Sequence, residues 1–125
     1  MQRRRVVISG LGVVTSLGET VDEMWENLCA AKSGIIPVTR WDTSKSPVKF
    51  GGECTRFDVT TYGIDVREAK RLDRFGQFGL AATVSAVKDA GADFAKEDRA
   101  RCGVLIGSGI GGIETLEEQN KVLIE

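Results

Sequence analysis

The chain has 125 residues, 42% of them hydrophobic and 28% charged, a balance that suits one soluble globular domain and excludes a disordered or low-complexity segment. A formal net charge of -1 gives no global pull toward a polyanion, so nucleic acid is not an expected partner, and no apolar run is long enough for a membrane span. There is no histidine, so Ser–His or Cys–His chemistry cannot be completed by these residues alone.

Arg3, Arg4 and Arg5 open the chain ahead of an apolar run, a pattern that a secretory leader also shows. The run is β-branched and interrupted by Gly10 and Gly12, and it reads instead as a buried strand at Val6, Val7 and Ile8, followed by glycines that admit a close neighbour. It ends at Thr15, Ser16, Leu17 and Gly18. Thr20 is then a helix N-cap with Glu23 as its capping-box partner, and Val21, Met24, Trp25, Leu28 and Cys29 share one helical face. On this reading Cys29 belongs to the core, and the helix stops near Lys32 and Gly34.

Residues 35–62 are the least regular, with Pro37, Pro47 and one short strand candidate over residues 50–57. Trp41 and Phe57 are expected to pin this stretch to the core, because aromatic rings dominate buried area. Arg67, Lys70, Arg71 and Arg74 then recur at helical spacing and collect four positive charges on one side. Two readings are open from the residues: a solvated helix face, or a docking patch for an acidic partner. Residues 75–90 form an apolar helix whose small residues let other backbones approach, closed by Gly91. Burying such a helix needs layers on both sides, more than this chain supplies.

Val104, Leu105 and Ile106 read as a strand covered on both faces, running into Gly107, Gly109, Gly111 and Gly112 and then into a helix from about Ile113. Gly107, Gly109 and Gly112 match G-x-G-x-x-G, but the confirming acidic residue would lie past Glu125, so the dinucleotide reading is weak against a turn shaped for packing or for another pocket. The last helix stops without a cap signal, and the chain reads as cut there. Cys29, Cys54 and Cys102 have neither metal-ligand spacing nor the even count of a disulfide framework, which fits a reducing cytoplasm.

Several separate stretches now stand in register: Arg4-Arg-Val-Val-Ile-Ser-Gly-Leu-Gly-Val-Val-Thr-Ser-Leu-Gly18, Trp25-Glu-Asn-Leu28, Lys32-Ser-Gly-Ile35, Asp73-Arg-Phe-Gly-Gln-Phe78 and Ile106-Gly-Ser-Gly-Ile-Gly-Gly-Ile-Glu-Thr-Leu-Glu-Glu-Gln119. In order and spacing they resemble the N-terminal portion of the β-ketoacyl-[acyl-carrier-protein] synthase II family. The resemblance implies an α/β chain, the N-terminal part of a thiolase-like αβαβα layered fold, with residues 1–125 a ketosynthase segment that ends before the catalytic cysteine. It further implies decarboxylative Claisen condensation in fatty-acid elongation, acyl carrier protein as partner in acyl and malonyl forms, a homodimer, and neither cofactor nor metal.

By the same resemblance, Ile110 between Gly109 and Gly111 borders the acyl pocket as a gate, and Arg67, Lys70 and Arg71 dock the carrier protein. No cysteine of this chain matches the family nucleophile, so no catalytic residue is expected in it. A non-catalytic chain-length partner, or a scaffold fragment that only packs on another chain, is the alternative.

Overall fold

The computed structural model describes residues 3–124. In chain order these form α1 (Val21–Cys29), a two-stranded antiparallel sheet of β1 (Ile35–Pro37) and β2 (Phe50–Gly52), a 3₁₀ turn at Val59–Tyr62, α2 (Val66–Ala69), α3 (Arg74–Asp89), a second 3₁₀ turn at Arg99–Arg101, and α4 (Ile113–Ile124). The sheet register pairs Ile35 with Gly52, Ile36 with Gly51 and Pro37 with Phe50.

Thr20 caps α1 as its sequence indicates. The Glu23 amide donates to Thr20 Oγ1 at 3.2 Å, while the Glu23 carboxylate accepts from the Glu19 amide at 3.0 Å, one residue before the cap. The helix ends earlier than Lys32 and Gly34 imply. Ala31 adopts φ 52°, its amide donates to Leu28 O at 3.0 Å, and the Lys32 amide donates to Asn27 O at 3.0 Å. This is a Schellman ending with alanine in the left-handed position that glycine usually holds. Cys29 is exposed rather than core, because Trp25, Leu28 and Cys29 lie on a stretch of the helix that no other described element covers.

The glycines of the N-terminal run do what their spacing predicts. A Cβ on Gly10 would overlap the Ala86 carbonyl and stand 2.5 Å from Ala90 N, and one on Gly12 would overlap the Ala82 carbonyl and stand 2.6 Å from Ala86 N. The run therefore crosses α3 along its alanine stripe, and the Leu11 amide donates to Asp89 Oδ2 at 2.8 Å. Gly91, with φ 59°, closes α3. The all-round burial expected of α3 is only partly met: Ala81 is fully enclosed, and its other apolar residues are half-buried or exposed.

Phe57, Ile64, Ala69 and Ala81 form the buried cluster. Phe57 meets Phe78 edge-on at 4.7 Å between ring centroids and Tyr62 at 5.7 Å, so its anchoring role holds. Trp41 does not join it; it is 57% exposed and lines an open groove with Arg40, Ile113 and Glu114.

Both long apolar runs also depart from expectation. Neither Val6, Val7 and Ile8 nor Val104, Leu105 and Ile106 enter a ladder among the described residues, and Leu105 is wholly exposed. A central strand needs neighbours for its amides and carbonyls and layers on both faces, and α3 meets the N-terminal run at Gly10, Leu11 and Gly12 but not at Val6, Val7 or Ile8. The strand candidate over residues 50–57 shortens to β2 because Glu53 turns to Thr39 and Arg40, and Arg74 takes the Cys54 carbonyl.

Candidate functional site

The glycine loop leads directly into α4. Gly111 has φ 78°, the Ile113 amide donates to Gly111 O at 3.1 Å, and the Leu116 amide donates to Gly112 O at 3.0 Å to begin the helix. Ile110 stands 82% exposed between Gly109 and Gly111. The four glycines are not equivalent. A Cβ on Gly107 or Gly109 would meet nothing within 4 Å, whereas one on Gly112 would overlap the carboxylate of Asp73. Close approach thus applies at Gly112 and a left-handed backbone at Gly111.

The basic element is shorter than its charge pattern implies. Asp65 caps α2 through the Arg67 amide at 2.7 Å, and the turn continues past Lys70, with the Arg71 amide donating to Glu68 O at 3.0 Å. Arg67, Lys70 and Arg71 are exposed, at spacings of three and four that share one helical face, and none is in an ion pair among the described residues. Arg74 does not belong with them. Its Nη2 donates to Cys54 O at 2.7 Å, and its guanidinium lies 5.4 Å from the Phe57 ring centroid and 5.0 Å from that of Phe78. It stacks on the core cluster, which leaves a patch of three cations.

The loop meets the start of α3, which follows the patch in the chain. Asp73 accepts a hydrogen bond from Thr115 Oγ1 in the first turn of α4, and Phe75 Cζ lies 3.8 Å from the place a Cβ on Gly111 would take. A crevice of about 170 Å³ lies here, lined by Asp73, Arg74, Phe75, Gly111, Gly112 and Ile113 among others. Arg40 Nη2 adds a second tie to α4 through Glu114 Oε1 at 3.3 Å. Sequence reading overlooked Asp73 and Arg40 as parts of this site. Asp73 opens the stretch Asp73-Arg-Phe-Gly-Gln-Phe78 and precedes a helix, but nothing local points to a partner 42 residues away.

Burial pushes the Cys54 thiol up from its ordinary value of 9.0, against a smaller opposing pull from Arg74, and Cys29 and Cys102 are exposed. Among the described residues no three of His, Cys, Asp and Glu are grouped to hold a metal, and no helix is long and apolar enough to cross a membrane.

The glycine loop thus opens α4 against the first turn of α3, within a thiolase-like α/β fold. The chain belongs to the β-ketoacyl synthase family: residues 3–124 match its N-terminal domain. Among curated relatives, the 3-oxoacyl-[acyl-carrier-protein] synthase 2 of Synechocystis sp. is 41% identical over 125 residues, and that of Vibrio cholerae is 40% identical over 125 residues. The protein of the same name from Staphylococcus aureus strain COL is 43% identical over 124 residues. The chain spans 30% of the length of each of these relatives. The solved structure of the ishigamide ketosynthase/chain length factor superposes with a TM-score of 0.82 at 30% identity, covering 99% of this chain and 31% of that one.

Proposed function

We propose that this chain is the N-terminal segment, residues 1–125, of an elongating condensing enzyme. The complete protein joins an acyl group, held as a thioester, to the carbanion left when malonyl carrier protein loses carbon dioxide. A carbon–carbon bond forms as the acyl–sulfur bond breaks. The observation that carries this reading is similarity along the whole chain to synthases of that name, with the Gly109–Ile110–Gly111 loop in place.

In this reading Ile110 is the one bulky side chain on a thin wall of the acyl pocket, with Gly109 and Gly111 giving it room to turn. Arg67, Lys70 and Arg71 receive the acidic carrier protein, steering it by charge. The condensation chemistry itself falls to residues outside this segment, since the segment has no histidine and burial pushes its Cys54 thiol up rather than down. The complete protein works in the cytoplasm as a homodimer. A second reading, a non-catalytic chain-length partner, draws on the ketosynthase/chain length factor neighbour.

The test is turnover by the complete protein supplied with acyl and malonyl carrier proteins. The expected product is the 3-oxoacyl carrier protein with release of carbon dioxide. Replacing Arg67, Lys70 and Arg71 by Glu should raise the carrier KM about 10-fold or more, the lower end of what electrostatic steering supplies, with little change in kcat. Ile110→Phe should shift preference toward shorter primers. No turnover by the wild-type protein overturns the enzyme reading in favour of the chain-length partner.

A further inference from the structure

Asp73 occupies the N-cap position of α3, with φ -60° and ψ 161°, yet its side chain caps nothing in that helix. An aspartate in this place ordinarily accepts from the amide two or three residues on. Here the carboxylate instead reaches the first turn of α4, where Thr115 Oγ1 donates to Oδ1. Its other oxygen fills the space where a side chain on residue 112 would begin, so glycine is required at that position for the contact to exist.

The same carboxylate follows the basic turn by two residues and lies against the end of the glycine loop. Lys70 and Arg71 precede it by a turn that is itself closed, the Arg71 amide donating to Glu68 O and the Leu72 amide to Ala69 O, each at 3.0 Å. On the other side it holds the end of the glycine loop, assisted by Phe75 against Gly111. Among the described residues the loop is held at its α4 end. Gly111 and Gly112 are packed, while Gly107 and Gly109 face open space and Ile110 is exposed. The Arg40–Glu114 pair reinforces α4 from another side, but with both side chains substantially exposed it contributes little.

We propose that Asp73 is a positioning residue: it anchors the Ile110 loop to the basic turn, so that acyl-chain preference depends on it and on Gly112 and Thr115. This rests on reading the loop as an acyl-pocket wall. The chemistry of the anchor is one hydrogen bond plus a steric fit, so Thr115→Ser preserves it, whereas Asp73→Ala, Thr115→Ala and Gly112→Ala each remove it.

The experiment uses the complete protein with two readouts. The first is amide hydrogen exchange over residues 107–112, with no carrier protein present. The second is kcat/KM for short and long acyl primers, with kcat and KM separated. Asp73→Ala and Gly112→Ala are expected to speed loop exchange and to shift the long-to-short selectivity ratio about fivefold, within the range seen for residues in contact. Thr115→Ser should match wild type, and Asp73→Ala combined with Thr115→Ala should do no more than either alone.

Loop exchange and selectivity unchanged in a well-folded Asp73→Ala protein overturn the proposal. So does an equal loss of kcat/KM at every primer length, which marks a merely structural role. Should Asp73→Ala not fold, Thr115→Ala and Gly112→Ala decide on the same criteria. A wild-type protein that does not condense acyl groups overturns the functional reading instead, and loop exchange in the variants alone then decides whether the anchor exists.

Discussion

Ala31 and Gly91 occupy the same position in two Schellman endings, with φ 52° and 59°. Glycine is at ease there; for alanine the Cβ crowds its own backbone at a cost of about 1–2 kcal/mol. Against that, glycine loses more chain entropy on folding, about 0.5–1 kcal/mol. The difference predicts that Ala31→Gly stabilises the protein by about 0.5–1 kcal/mol and that Gly91→Ala destabilises it by a similar amount. Chemical denaturation of the complete protein measures both. A neutral or harmful Ala31→Gly would show that the turn after α1 relaxes in solution. The same contrast explains why the end of α3 was legible and that of α1 was not: glycine advertises a left-handed residue and alanine does not, so Gly34 drew attention three residues too late.

At the scale of elements, two acidic side chains stitch neighbouring segments together. Glu23 on α1 is held below its ordinary value of 4.5, first by the Glu19 amide and then by Arg56, whose guanidinium reaches it at 2.5 Å. Glu53, beyond β2, is lowered from 4.5 first by the Thr39 hydroxyl at 2.7 Å, with the Thr39 and Arg40 amides adding to it. In the unfolded chain both carboxylates bind protons more readily, so the stability they supply is present above about pH 4.5 and is lost as pH falls below it. Glu23→Gln should therefore lower the thermal midpoint at pH 7 and narrow its difference from wild type as the medium is acidified. Parallel pH profiles for the two proteins would refute the assignment.

Helices α1, α3 and α4 were legible because each carries its own period, with Thr20 marking the start of α1 and Gly91 the end of α3. The basic turn was legible as charge but not in extent, since Arg74 was claimed by Phe57 and Phe78. Of the candidate site, the glycines and the helix they open could be read from local pattern. The tie from Asp73 to Thr115 could not, because it joins residues that only the fold brings together.

The distribution of apolar surface over the whole molecule leads to the last prediction. Four apolar residues are buried among those described, while Val6, Val7, Ile8, Val104, Leu105, Leu116, Leu123 and Ile124 are each more than two-thirds exposed. Full burial of one such side chain is worth about 1.5–3 kcal/mol, so this set represents more driving force than the small cluster around Phe57 supplies. Apolar runs of this length show what must be covered without showing what covers them, and for that reason the two buried-strand readings are not met among the described residues. Under the synthase reading proposed above, the rest of the complete protein covers these faces. The 125 residues produced alone should then bind a hydrophobic dye, self-associate and melt without a sharp transition. In the complete protein, the amides of residues 6–8 and 104–106 should be among the slowest to exchange. A monomeric segment that melts cooperatively and binds no dye would show that these faces need no cover, and would remove the packing basis for placing the chain within a larger layered fold.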